Sequence, residues 1–253
     1  MNEDTGMVTH GAVPAAPRHC ATERGWAWLS EGWQLFRRAP GAWIGLVAAL
    51  FAINIVGSLV PVIGPLALTI VGPIFVGGIM LGCNELARGG ALRFAHLFAG
   101  FRSHTGPLAV VGAFTLVASF AAMLVVGVLV TLLFGLGGGI EAFAGESSSG
   151  AALPLAGGLL GALVFVVVLV PVYMAVWFAP ALVVLAGCAP VAALKASFTA
   201  CTRNLGALTL YGVVLMFFAI LASIPLALGW LVLGPVLSAS VYAAYADIFA
   251  PPH

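Results

Sequence analysis

The chain has 253 residues, of which 62% are apolar and 7% are charged, and its formal net charge is +1. In soluble domains about a quarter of the residues are charged. So few charges cannot cover the surface of a soluble protein of this size, whereas long, unalternating apolar runs are typical of helical membrane proteins. Composition therefore excludes a soluble protein, and we expect no nucleic-acid partner.

The first part of the chain predicts a tail, a short amphipathic helix and a membrane hairpin. Residues 1–24 have acids before any cation and no apolar run, which indicates a disordered cytoplasmic tail rather than a secretion signal. Apolar residues then recur every three or four positions from Trp26 to Arg38. This spacing favours a helix in the membrane interface over one packed on a neighbour, because membrane spans follow at about 42–60 and 66–87.

The same order of elements occurs twice more along the chain. Each later part begins with a basic, aromatic interfacial helix and continues into two spans, at the following positions: 88–105, 106–136 and 153–185, then 190–204, 207–226 and 230–250. A loop of small and polar residues separates the third span from the fourth.

Two landmarks align the three parts as repeats. When the three parts are aligned on a glycine, an aromatic residue lies eight positions before it in each part. The glycines are Gly41, Gly106 and Gly206, and the aromatic residues are Trp33, Phe98 and Phe198. The second helix of each hairpin also carries a proline: Pro73, Pro171 and Pro235. The predicted all-α membrane fold therefore has six transmembrane helices in three pseudo-repeated hairpins, each preceded by a short interfacial helix. The transmembrane domain covers residues 25–253, with repeats at about 25–90, 91–189 and 190–250.

The distribution of charge predicts the orientation in the membrane. All nine lysine and arginine residues fall before the first span, between the second and third, or between the fourth and fifth. The opposite side carries only Glu141 and Glu146. Because basic loops stay in the cytoplasm, both termini are expected there. The four cysteines map to the same side, where thiols remain reduced.

Two acids are candidates for functional residues within the spans. Glu85 and Asp247 each lie twelve positions after the landmark proline of their repeat. A carboxylate at membrane depth is costly and is a functional candidate by default. The alternative is a structural acid near a span end that reaches the headgroup layer or pairs with a cation of an interfacial helix, such as Arg88, Arg93 or Arg203.

The interfacial helices supply a second set of candidates. Their aromatic and basic side chains suit anionic lipid at the membrane surface. The predicted lipid-interface residues are Trp26, Trp33, Arg37, Arg38, Arg93, Phe98, Arg102, Lys195 and Arg203.

Recognisable catalytic motifs are missing from the sequence. There is no HExxH metal motif and no P-loop lysine, and Gly145–Ser149 lacks the final glycine of a nucleophile elbow. A soft-metal site would need cysteines at CxxC spacing, and none occurs. We therefore expect no enzymatic activity, no cofactor and no metal.

Three segments resemble an uncharacterised family of six-span bacterial inner-membrane proteins: Trp28–Gly41, Gly77–Cys83 and Leu97–Phe101. That family is distantly similar to the membrane domain attached to some glycerophosphodiester phosphodiesterases. The resemblance covers about residues 25–250 and implies a bacterial inner membrane and a six-helix fold. It transfers no active-site residue.

Two functional hypotheses follow. The first is a non-catalytic inner-membrane protein that engages membrane lipids, favouring anionic ones, or a partner membrane protein. The second is a small-molecule or ion transporter or channel that uses the axis between the repeats, with Glu85 and Asp247 near its inner mouth. A dry, close-packed axis would favour the first hypothesis, and a polar track would favour the second.

Overall fold

A computed structural model describes residues 16–132, 152–224 and 228–249 of the chain. Over these ranges the secondary structure is helical and contains no strand. Six helices are long and apolar enough to cross a membrane: Pro40–Ser58, Ile63–Ala87, Thr105–Leu129, Gly161–Ala186, Leu205–Ser223 and Trp230–Phe249. The predicted all-α membrane fold is therefore confirmed. The predicted polar loop with Glu141 and Glu146 lies outside the described residues.

A short helix followed by a long helical hairpin occurs three times, as the repeats predict. The helices are α1 (Arg24–Arg38), α2 (Pro40–Ser58), α3 (Ile63–Ala87), a 3-10 helix (Phe94–Phe98), α4 (Ala99–Ser103), α5 (Thr105–Val130), α6 (Ala152–Trp177), α7 (Ala179–Ala186), α8 (Pro190–Arg203), α9 (Leu205–Ser223) and α10 (Trp230–Phe249). The short helices are α1, the 3-10 helix with α4, and α8.

The helix boundaries differ from the predicted ones at the second short helix, and the fourth span breaks at one of its two prolines. The predicted interfacial helix over 88–105 begins only at Phe94, because Gly89 adopts a φ of 87°, a left-handed conformation that ends the preceding helix. The fourth span is predicted to be interrupted at Pro171 and Pro180; Pro171 lies inside α6, whereas the span is divided between α6 and α7 at Pro180. Proline removes a backbone donor and disfavours helical conformation in the residue before it, so the helix breaks there.

The chain forms two compact units. One covers positions 114–173, including most of α5 and α6, and many of the apolar side chains of these two helices are exposed, Val117 and Leu124 among them. The other combines residues up to 113 with residues from 174 onward. This larger unit, called the main unit below, contains all three short helices and the hairpins of the first and third repeats.

The first short helix packs along the last helix of the chain. A Cβ atom added at Gly32 would lie 2.7 Å from the backbone nitrogen of Ser240 and 2.8 Å from the backbone oxygen of Val236. At the other end of α1, Arg24 forms an ion pair with Asp247. Later residues of α1 therefore contact earlier residues of α10, so the two helices run antiparallel.

The other two short helices pack in the same way on the preceding repeat. Gly78 of α3 approaches the backbone of the 3-10 helix, with the oxygen of Leu97 3.0 Å from where its Cβ would lie. In the third repeat, Ser197 of α8 donates a 2.7 Å hydrogen bond to the carbonyl oxygen of Met174 and accepts a 3.0 Å bond from the backbone N–H of Phe178. Each short helix thus contacts the second helix of one hairpin, and α1 closes the cycle on the third.

The packing of α1 departs in part from the prediction of a helix in the membrane interface. Trp28 and Leu35 of α1 are buried against protein, whereas Trp26 and Trp33 remain 54% and 45% exposed. The alternative weighed above, a helix packed on a neighbour, describes the inner side of α1. Gly25 and Gly32 permit it, because their missing side chains let the α1 backbone approach α9 and α10.

The second helices of the hairpins meet in the core of the main unit. Helix α3 contacts both α7 and α10, and the rings of Phe178 and Phe249 lie edge to face with their centres 6.0 Å apart. The buried side chains of these helices are mostly apolar, among them Ile79, Cys83, Leu182, Val183, Ala239 and Ile248. The hairpins are therefore held together by close apolar packing.

The close approach at Gly32 can be tested by adding a single methyl group. We expect Gly32→Ala to lower stability by about 1–3 kcal/mol, the usual cost of overpacking, because the new Cβ would meet backbone atoms that cannot move aside. The measurement is SDS-induced unfolding of the purified protein in detergent micelles.

Gly45→Ala is the matched control, because nothing lies within 4 Å of the Cβ that it adds to α2. There the higher helix propensity of alanine should leave stability unchanged or raise it, by up to about 1 kcal/mol. Equal stability of the two variants would contradict the close packing of α1 on α10.

Candidate functional site

Asp247 lies at the centre of a polar cluster between α1 and the end of α10. Its Oδ2 atom accepts a 2.6 Å hydrogen bond from Arg24 Nε and a 2.8 Å bond from Trp28 Nε1. The same guanidinium donates through Nη2 to Glu31 Oε1 at 2.9 Å. Residues 24, 28 and 31 follow one another at single helical turns, so one side of α1 presents the whole set. The arrangement fixes α1 on the third hairpin by a shared charge network.

Residues 17–20 bind across the third repeat beside this cluster. The side chain of Asn204, which is fully buried, accepts a 2.7 Å bond from the backbone N–H of Cys20 and donates a 2.9 Å bond to the carbonyl oxygen of Arg18. The backbone N–H of Arg18 donates to the oxygen of Ile248 at 3.0 Å. The prediction of a disordered tail over 1–24 is thus wrong for these residues, because Asn204 satisfies their backbone groups. Residues 1–15 lie outside the described ranges.

Glu85 has a partner on the second short helix. His96 Nε2 and Glu85 Oε2 lie 2.8 Å apart, and His96 Nδ1 accepts a 3.0 Å bond from the backbone N–H of Arg93. Because Nδ1 accepts a hydrogen bond, the proton of the neutral imidazole lies on Nε2, and Nε2 donates a hydrogen bond to the carboxylate of Glu85. This contact joins the end of α3 to the 3-10 helix.

Both candidate acids therefore contact a short helix, as the structural interpretation expects. The partners are Arg24 and His96, not the arginines proposed from sequence. Under the transporter hypothesis, acids near an inner mouth would need no arginine partner, whereas Asp247 has one. Sequence reasoning missed Arg24 because 223 positions separate it from Asp247. The cyclic order of the repeats was the signal that could have found it.

Polar groups also link neighbouring long helices of the main unit. The hydroxyl of Tyr242 on α10 donates a 3.1 Å bond to Asn84 Oδ1 on α3. Tyr211 on α9 and Ser240 on α10 share a buried 2.8 Å hydrogen bond. These bonds satisfy polar groups that would be costly to bury alone. They hold neighbouring helices together at single points within an otherwise apolar core.

The cysteines are buried free thiols. Burial raises the pKa of Cys201 to about 12 and also raises the pKa of Cys188. The pKa of Cys20 is raised, first by burial and then by the negative charge of Asp247. Thiols with raised pKa values are poor nucleophiles. Within the described ranges, no group of three or more histidine, cysteine or acidic residues could hold a metal ion.

All nine predicted lipid-interface residues have exposed side chains: Trp26, Trp33, Arg37, Arg38, Arg93, Phe98, Arg102, Lys195 and Arg203. The aromatic residues that share a repeat column are exposed to a similar degree, at 45% for Trp33 and 41% for both Phe98 and Phe198. Each short helix therefore carries a partly exposed aromatic ring and an exposed cation.

The Arg24–Asp247 ion pair predicts a measurable coupling. In a double-mutant cycle of Arg24→Gln and Asp247→Asn, we expect a coupling energy of about 1–2 kcal/mol, between the values typical of exposed and buried pairs, because both side chains are partly exposed. Unfolding in SDS titrations gives the four stabilities. The control is Glu23→Gln, which removes an exposed acid next to α1 and should change stability little. Strictly additive effects of Arg24→Gln and Asp247→Asn would show that the pair is not coupled.

One relative places the chain in a family. The probable inner membrane protein BTH_II0599 of Burkholderia thailandensis is 33% identical to it over 233 residues, which cover 88% of this chain and 82% of the relative. No protein-family model and no solved structure matches the chain. The resemblance to the membrane domain of glycerophosphodiester phosphodiesterases therefore gains no support. Because the match extends over most of both proteins, the chain belongs to the same family as this probable inner membrane protein.

Proposed function

We propose that the protein is a non-catalytic, multi-pass protein of the bacterial inner membrane that binds anionic lipid through its three short helices. One observation carries this proposal: each short helix buries part of its surface against protein and leaves an aromatic ring and a cation exposed. A helix held in this way cannot turn its exposed side inward. It presents a fixed surface to whatever surrounds the bundle.

The exposed residues have the chemistry of a membrane interface. Helix α1 exposes Trp33 and Arg37, the second short helix exposes Phe98 and Arg102, and α8 exposes Phe198 and Lys195. Aromatic rings favour the headgroup level of a bilayer, and cations near it are attracted to anionic lipid by about 1 kcal/mol each. Lipid accounts for this repeated pairing more directly than a partner protein does, because the same pair occurs on three separate helices.

The balance of charge supports anionic rather than neutral lipid. The described residues contain nine lysine or arginine residues and four acids. Three of the acids, Glu31, Glu85 and Asp247, are already engaged by Arg24 or His96. The cations on the outer side of the short helices thus face few competing carboxylates. This excess of positive charge attracts negatively charged headgroups.

The transporter hypothesis has less support. Asp247 is occupied by Arg24 and Trp28, and Glu85 is bound to His96. Between the second helices, the buried side chains are mostly apolar. A path for a polar solute needs polar groups that are free to replace its water. Neither Glu85 nor Asp247 offers such a group without breaking a structural contact.

The orientation of the chain is part of the proposal and has its own test. Since every lysine and arginine falls on the side of the short helices, we expect that side in the cytoplasm. Reporter fusions after His253 should be active only in the cytoplasm, and fusions at Ser148 only outside it. Native thiols cannot report the side because all four are buried, so Ser148→Cys in a cysteine-free background serves as an independent check. An externally active fusion at His253 would reject this orientation.

The lipid proposal predicts loss of anionic lipid when the exposed arginines are neutralised. Replacing Arg37, Arg38, Arg93 and Arg102 with Gln should lower the anionic lipid retained by the purified protein at least fivefold, because each cation contributes about 1 kcal/mol. Native mass spectrometry and lipid extraction measure the retained lipid.

The matched control replaces the same four arginines with Lys, which keeps the charge and should keep the lipid. The variant Arg24→Gln removes a cation that is already bound to Asp247 and Glu31. It should mainly lower the stability of the protein and have a smaller effect on the amount of lipid retained. Unchanged lipid in the fourfold Gln variant would mean that the arginines serve orientation alone.

A further inference from the structure

An apolar groove lies between α1 and the third hairpin. Its volume is about 550 Å³, which falls within the ~300–1,000 Å³ of small-molecule sites in proteins. Its lining comes from α1, α9, α10 and the turn before α10. The groove is therefore present only because α1 packs along this hairpin.

The groove has a buried floor and an exposed rim. Leu29, Ala222 and Leu233 are buried and form the floor. Trp26 and Trp33 form the rim on the side of α1 and are half exposed. A shape with a covered floor and open edges can hold a ligand lengthwise while leaving its end outside.

The chemistry of the lining excludes a polar ligand. Ser30 carries the one hydroxyl among the lining residues, and it donates a 2.8 Å hydrogen bond to the carbonyl oxygen of Ala27. A polar molecule entering the groove would lose its bonds to water without replacing them on the floor. Because α9 and α10 are candidate membrane spans, hydrocarbon chains of the bilayer are the expected neighbours of the groove.

We infer that this groove binds one hydrocarbon chain of a membrane lipid, lying between α1 and the third hairpin. A helix is ~10 Å across, so the groove has room for about one helical turn. A helical segment of that length is too short for a stable helix–helix contact. A flexible chain fits the same space along its length. The two rim tryptophans suit the headgroup level, where one edge of an indole is wet and the other is apolar.

This inference goes beyond the proposed function, because it depends on the chain of the lipid and not on the charge of its headgroup. It therefore predicts binding of zwitterionic as well as anionic lipid at this position. The arginine substitutions described above should change headgroup preference and leave the occupancy of the groove intact. The two proposals can fail separately.

The test uses full-length protein in nanodiscs that contain phosphatidylcholine or phosphatidylglycerol with a diazirine in the acyl chain. Illumination should attach either lipid to the groove, at residues such as Trp33 or Leu233, and excess unlabelled lipid should saturate this labelling. Val232→Phe adds bulk to the α10 wall and should reduce the labelling at least fivefold. Ser30→Phe fills the groove from α1 and provides a second variant should the first fail to fold.

Val56→Phe is the matched control, because Val56 is an exposed apolar residue of the first hairpin and the substitution is chemically the same. It should leave groove labelling unchanged. Labelling that does not saturate, or that falls equally in Val56→Phe and Val232→Phe, would overturn the inference. Cross-linking of the groove to a co-purified protein in place of lipid would overturn it too.

Discussion

The contact of α1 with the third hairpin is the interaction on which the other features of the main unit depend. Gly25 and Gly32 bring the α1 backbone against α9 and α10, and this approach places Arg24 and Trp28 beside Asp247. It also orders residues 17–20 over Asn204 and forms the apolar groove. These consequences follow from two positions without side chains, because van der Waals contact between backbones needs close approach.

The spans could be predicted from sequence because the signal for them is local. A run of about twenty apolar residues crosses the membrane regardless of what its neighbours do. The break before Phe94 was missed because Gly89 acts through its backbone angle, which an apolar pattern does not record. Hydropathy predicts how many helices there are and where they lie along the chain, but it carries no information on which helices contact one another.

The partners of the acids were missed for a related reason. Chain connection alone places the second short helix beside α3 and the third beside α7, since each follows directly in sequence. The contact of α1 with α10 joins the two ends of the chain and has no such local cause. It does follow from the repeats. If three equivalent repeats are arranged in a cycle, the first short helix must pack on the third hairpin as each of the other two packs on the hairpin before it. The symmetry was visible in the sequence, but its closure is a property of three dimensions.

The recurrence of Glu85 and Asp247 at one repeat position then has an architectural explanation. Both lie near the end of a second helix, where the short helix of the next repeat passes, and both bind a side chain on it. The second repeat has Val183 at this position, which is buried, and there Ser197 anchors the short helix through two hydrogen bonds. An acid and an apolar residue can replace each other across the repeats because the shared requirement is attachment of the short helix. Under the proposed function these positions need only a contact, whereas a carboxylate that carried a solute would be needed for its charge.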